Sequence, residues 1–170
     1  MAKNHGGLAR TRRGGGDPTQ ADGGDFGGDV FKRIGIGGQQ HRTILWSRGT
    51  LPVLDPDLAD PCWLDGRDLL YHDGHEPGLV AVLAPMAGRR NLPVVMDAGG
   101  LRQGSHRMVE LSTDVISSRR FPPELTGHED PARALRSLAG MGPSRVGMTY
   151  GEQGLLALVD GQVLAVPAYD

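Results

Sequence analysis

RVGMTYGEQGLLALVDGQVLAV, residues 145–166, is the stretch whose reading decides the fold. It opens on Arg145–Thr149, a short run with the apolar content of a strand, and passes through a turn marked by Gly151 and Gly154. Two further apolar runs follow, Leu155–Val159 and Gln162–Val166, joined by Asp160-Gly161. An Asp-Gly pair between apolar runs is a strong two-residue hairpin signal, because both turn positions need positive φ. The chain is therefore expected to close on an antiparallel pair.

Toward the N-terminus the pattern changes. Three more strand-like runs precede Arg145, at Leu69–His72, Leu92–Met96 and Asp114–Ser117. The segments between them are long enough for helices, as crossover connections between parallel strands require. The clearest helix is Pro131–Ala139, where Asp130 can cap, Pro131 suits the first turn and Gly140 can end it. Leu79–Arg90 also reads as helical, with Pro85 expected to kink it or delay its start. Arg42–Trp46 has strand composition, and the Pro- and Asp-rich stretch Leu51–Pro61 reads as a loop. The expected class is α/β: a parallel sheet with crossover helices, ending in an antiparallel hairpin.

Composition sets the boundaries. The 170 residues suffice for one ordinary domain, but only 38% are hydrophobic, and 27 Gly and 12 Pro favour turns. Much of the glycine lies in residues 1–38, where few large apolar side chains accompany it. Such a segment cannot bury enough surface to offset its ordering entropy, so 1–38 is expected to be disordered and 39–170 to form the domain. Arg10, Arg12 and Arg13 read as part of a solvated tail rather than a nucleic-acid arm.

A formal charge of −2 gives no general reason to expect nucleic acid or anionic membrane as partner, which leaves a small molecule. Cys62 is the single cysteine, so an internal disulfide and a multi-cysteine zinc site are excluded. A reducing, cytoplasmic setting is expected. No run approaches the roughly 18 consecutive apolar residues of a membrane-spanning helix, and the start lacks the apolar core of a secretory signal.

Chemistry concentrates after the strands. In Thr149-Tyr150-Gly151-Glu152-Gln153-Gly154 a hydroxyl at a strand end is followed by residues without side chains. That arrangement lets a phosphate approach the backbone closely, although a tight turn between two strands accounts for the same residues. His72, Asp73, His75 and Glu76 follow another strand, where ligands gather in open α/β sheets. Two histidines on a turn with one or two carboxylates make a weak zinc set, and no metal site is assigned. Asp97 follows a strand and precedes Gly99 and Gly100, without the G-x-G-x-x-G spacing of a dinucleotide turn.

Six phrases, RTILW, LLYHDGHEP, LPVVMDAGG, FPPELTG, VGMTYGEQG and LALVDGQVLAVPAY, occur in the order and at the approximate spacing found in one family. From about Arg42 to Tyr169 the chain resembles the ribokinase-type (PfkB-type) carbohydrate kinases, matching their middle portion. The resemblance implies an ATP-dependent kinase that phosphorylates a sugar hydroxyl, with Mg²⁺ accompanying ATP. It implies nucleotide contacts at Ser118, Thr149, Gly151 and Gly154, and substrate-side contacts at Asp73, His75 and Asp97.

The sequence also departs from the family pattern. Counting back from Gly127, an Asn-x-x-Glu motif that organises magnesium would fall on Ser118 and Phe121, so its carboxylate is missing. The D-T-x-G-A-G-D phrase that carries the Asp general base does not occur, and the resemblance puts it beyond Asp170. The opening sugar-binding strands are not recognisable either. The expectation is thus a fragment, by itself nearly inactive, whose unpaired edges and uncovered apolar face favour self-association. A non-catalytic nucleotide-binding or interaction module derived from such a kinase is the alternative; an unrelated dinucleotide-binding domain is a third reading.

Overall fold

The computed structural model describes residues 31–34, 43–46 and 52–169. The chain divides into two units, Met1–Leu51 and Pro52–Asp170. In the first, β1 (Phe31–Ile34) and β2 (Thr43–Trp46) pair antiparallel, Phe31 opposite Trp46 and Ile34 opposite Thr43. The strand read at Arg42–Trp46 is therefore present one residue shorter. Phe31–Ile34 lies inside the segment expected to be disordered, and its pairing with β2 is what makes it a strand; the rest of 1–38 lies outside the described residues.

The second unit holds a six-stranded sheet in the order β3-β4-β5-β6-β7-β8. Its strands are β3 (Leu70–His72), β4 (Val94–Ala98), β5 (Asp114–Ser118), β6 (Arg145–Thr149), β7 (Leu155–Val159) and β8 (Gln162–Val166). The first four are parallel and the last two pair antiparallel. Asp160 and Gly161 both take positive φ, 50° and 76°, as the hairpin signal required. The class expected from the sequence is the one observed. The Leu92–Met96 run, however, pairs two residues later than read, because Pro93 lacks the N–H that a ladder position needs.

Four helices cover the sheet: α1 (Pro77–Arg89), α2 (Ser105–Glu110), α3 (Phe121–Thr126) and α4 (Pro131–Ala139). Asp130 caps α4, accepting from the Arg133 amide at 2.7 Å. Pro85 neither delays nor ends α1, which starts earlier than read, at Pro77. Pro85 and Ala81 both lie on the exposed side, so water can reach the carbonyl that loses its helical partner. The buried stripe Val80, Leu83, Ala84 and Ala87 has helical spacing and faces the sheet. The Leu51–Pro61 stretch is more ordered than a plain loop: Pro56–Leu58 and Pro61–Leu64 form short 3-10 turns, each opened by an Asp side chain that accepts from the backbone two residues on.

All four helices pack on one face. Alternate residues Val94, Met96, Val115, Val146, Met148 and Leu158 point into a core that they share with Met108, Phe121, Leu135 and Leu138. Among the described residues nothing covers the opposite face. There Tyr71, Ile116, Leu164 and Val166 are 57%, 45%, 45% and 46% exposed.

Phe121, at the first position of α3, is completely buried. Truncation to alanine leaves a cavity in the centre of the core, and Phe121→Ala is expected to cost about 3–5 kcal/mol of unfolding free energy. Urea denaturation of the variant and the parent checks this; a loss below about 1 kcal/mol would show that Phe121 is not a core residue.

Candidate functional site

The C-terminal ends of the four parallel strands lie in a row, and the residues singled out in the sequence sit along it. Asp73 and His75 follow β3, Asp97 is near the end of β4, Ser118 ends β5 and Thr149 ends β6. Neighbouring strands are about 4.8 Å apart, so the row spans about 14 Å from β3 to β6.

Ser118 and Thr149 are register partners on adjacent strands. The Thr149 hydroxyl donates to the Ser117 carbonyl at 3.3 Å, and Thr149 remains exposed. The Ser118 hydroxyl oxygen is buried and has no hydrogen-bond partner in the protein. A buried hydroxyl without a partner costs roughly 1–3 kcal/mol, so it is a place where a ligand acceptor would be welcome.

After Thr149 the chain makes a 3-10 turn, Gly151–Gln153. The Tyr150 amide donates to the Gly154 carbonyl at 2.7 Å and the Gly154 amide to the Gly151 carbonyl at 3.0 Å, so both are satisfied within the turn. Gly151 is open: φ is +60°, and a Cβ there would meet nothing within 4 Å. Gly154 serves another purpose. At φ +89° a Cβ would lie 2.0 Å from the Val166 carbonyl oxygen and 2.7 Å from the Pro167 carbonyl carbon. Its lack of a side chain admits the chain leaving β8.

At the other end of the row, the Asp73 carboxylate accepts from the His75 amide at 3.2 Å and lies 3.0 Å from His75 Nδ1. Burial pushes the Asp73 carboxyl up, but the hydrogen bonds and charge of His75 outweigh it and hold Asp73 below the usual carboxylate range. Gly74 allows this turn, with φ +80°. Asp97 accepts from the Tyr71 hydroxyl at 3.3 Å. Tyr71 was not singled out in the sequence, yet the alternation Leu70-Tyr71-His72 and the Tyr71–Val95 register put it on the same face as Asp97.

His72 does not join this group. It points to the helical side and is buried, with Nε2 3.1 Å from the Ser112 hydroxyl, which itself donates to the Met108 carbonyl at 2.7 Å. Ser112 Oγ therefore accepts, which places the His72 proton on Nε2. Strand alternation explains the outcome: consecutive residues of β3 face opposite sides.

Phe121, at the position where a magnesium-organising carboxylate would fall, belongs to the core. No group of three or more His, Cys, Asp or Glu side chains that could hold a metal occurs among the described residues. No helix among the described residues is long and apolar enough to cross a membrane.

No protein-family model matches the chain, and no curated protein sequence matches it. Solved structures do. A PfkB protein from Polaromonas sp. JS666 superposes with a TM-score of 0.65 at 14% identity, over 81% of this chain and 53% of that one. The chain has the ribokinase-like fold. The ribokinase-like structures also include Arabidopsis thaliana ribokinase complexed with ribose and ATP, with a TM-score of 0.59 at 15% identity over 75% of this chain and 44% of that one. An E. coli protein provisionally classed as ribokinase II, in complex with ATP and Mg²⁺, has a TM-score of 0.62 at 16% identity over 76% and 48%. The chain spans about half the length of these ribokinase-like proteins.

Burial holds the His72 pKa below the ordinary histidine value, and the Asp73 charge only partly opposes this. The unfolded chain therefore takes up this proton more readily than the folded one. The contribution to stability is present above the ordinary value of about 6.5 and is lost as pH falls through the folded pKa. Urea midpoints measured from pH 7 to pH 5 should fall more steeply for the parent than for His72→Gln; parallel profiles would contradict the assignment.

Proposed function

We propose that the chain is the nucleotide-side portion of a ribokinase-like phosphotransferase, which in complete form moves the γ-phosphoryl group of ATP to a sugar or sugar-like hydroxyl. The observation that carries this reading is the pairing of Ser118 and Thr149 at adjacent strand ends, one hydroxyl buried without a partner, beside the open turn at Gly151. Ligands of open α/β sheets gather at this edge. The complexes of ribokinase-like proteins with ATP, with ATP and Mg²⁺, and with ribose support the choice of ligands.

In this reading the Ser118 hydroxyl donates to a phosphate oxygen, Thr149 lies beside it, and the backbone at Gly151 lets the triphosphate approach. Gly154 shapes the turn. Asp73 and His75, after β3, and Asp97, on β4, face the sugar, two strand spacings and one strand spacing from Ser118 on β5. Mg²⁺ would accompany ATP, and among the described residues no carboxylate set is present to receive it. Phosphoryl transfer depends on positioned donors and charge stabilisation, so the chain alone is expected to bind ATP and to turn over little.

Calorimetry on the 170-residue chain tests this. ATP should bind saturably, with an affinity that changes less than about threefold when EDTA replaces Mg²⁺. Ser118→Ala should weaken binding about tenfold, the worth of one hydrogen bond to a charged group, without lowering the stability of the ligand-free protein. Absence of saturable ATP binding, or preference for a dinucleotide, would sink the reading.

A further inference from the structure

The groups assigned to the triphosphate so far are two neutral hydroxyls and the backbone at Gly151. Hydroxyls orient an anion without balancing its charge. Asp97, one strand spacing from Ser118, adds a carboxylate that repels one. A polyanion at this edge therefore calls for a cation on the Ser118 side, and the chain places one there. Arg119 directly follows Ser118, so their Cα atoms are about 3.8 Å apart. Its neighbour Arg120 is engaged by Glu124 four residues on, with Nε 3.5 Å from Oε1. The Arg119 guanidinium is exposed and has no such partner among the described residues.

The backbone that carries Arg119 is held at both ends. Ser118 is in ladder register with Thr149, and Phe121 is completely enclosed by the core. Only Arg119 and Arg120 lie between them, in a turn. A cation presented from such a turn stays beside the Ser118 hydroxyl, and little backbone ordering is left for a ligand to impose. The residue type also matters. A guanidinium is a planar fork that meets two phosphate oxygens at once, and it is more weakly hydrated than an ammonium.

We propose that Arg119 binds the terminal phosphate of the nucleotide and makes this edge selective for the triphosphate. The inference rests on the nucleotide reading above, and strand order gives it a direction. The sugar-side residues belong to β3 and β4 and the nucleotide-side residues to β5 and β6, so the phosphate to be transferred lies where the two meet, at the end of β5. Ser118 and Arg119 occupy that boundary. Thr149 and Gly151, one strand further from the sugar, are left to the phosphates nearer the nucleoside. The guanidinium then balances charge on the phosphate that ADP and AMP lack.

Calorimetry of the full chain in EDTA, with ATP, ADP and AMP as probes, tests this. The parent should bind ATP at least about tenfold more tightly than AMP, with ADP between them. Arg119→Gln should weaken ATP about tenfold or more, as loss of a charge-assisted pair does, and change AMP less than about threefold, while the urea midpoint of the ligand-free protein stays the same. Arg119→Lys, which keeps the charge without the fork, should recover part of the loss. Arg120→Gln should leave the series as in the parent. A parent that binds none of the three nucleotides contradicts the nucleotide reading and this inference with it. The inference alone is overturned if the parent binds ATP and Arg119→Gln binds it equally well, if that variant loses ATP and AMP in equal measure, or if Arg120→Gln has the same effect.

Discussion

Strands that join a sheet in the order of the chain, each by a right-handed crossover, receive all their connecting helices on one face, and this constraint governs the second unit. The core is consequently one-sided. Val94, Met96, Val115, Val146 and Met148 find partners in α1 to α4, while Tyr71 and Ile116, one residue out of phase, find none among the described residues. Period-two alternation turns one topological fact into two surfaces, a sealed interior and an exposed apolar sheet.

The parts of the fold that were legible in the sequence are those fixed by local chemistry. Asp160-Gly161 demanded positive φ, and both residues have it. Asp130, Pro131 and Gly140 bounded a helix that runs over Pro131–Ala139 as read. Local signals were less decisive where tertiary packing prevailed. Pro85 suggested a kink or a later start, but the four-residue stripe from Val80 to Ala87 is anchored on the sheet and the helix runs through it from Pro77. Phe31–Ile34 is a strand through pairing with Thr43–Trp46, a relation that composition does not reveal.

The candidate site was legible in position and less so in detail. That Ser118, Thr149 and the β3 turn lie along one edge follows from strand order, which apolar runs disclose. Which side a given residue faces does not follow so readily when a boundary is uncertain by one residue. His72 and Asp73 are adjacent in sequence, yet one is a buried partner of Ser112 and the other bonds His75 in the turn at the C-terminal end of β3. The two glycines of the β6 turn likewise look equivalent in sequence. Only the distances separate Gly151, with open space around it, from Gly154, against which the end of β8 is packed.

Phe121 links the architecture to the chemistry. A residue completely enclosed by the core cannot offer a charge to a phosphate, and burying a carboxylate at the same place would require either a partner or protonation. The position is occupied by packing, so in the proposed function polar recognition at the end of β5 rests on Ser118, whose neutral hydroxyl can donate to an anion without adding repulsion. The row then sets neutral hydroxyls at β5 and β6 beside the carboxylates of Asp73 and Asp97 at β3 and β4. Under the proposed function a polyanion lies at one end of this edge and a hydroxyl-rich molecule at the other, and the separation of the two kinds of group is imposed by the strand order.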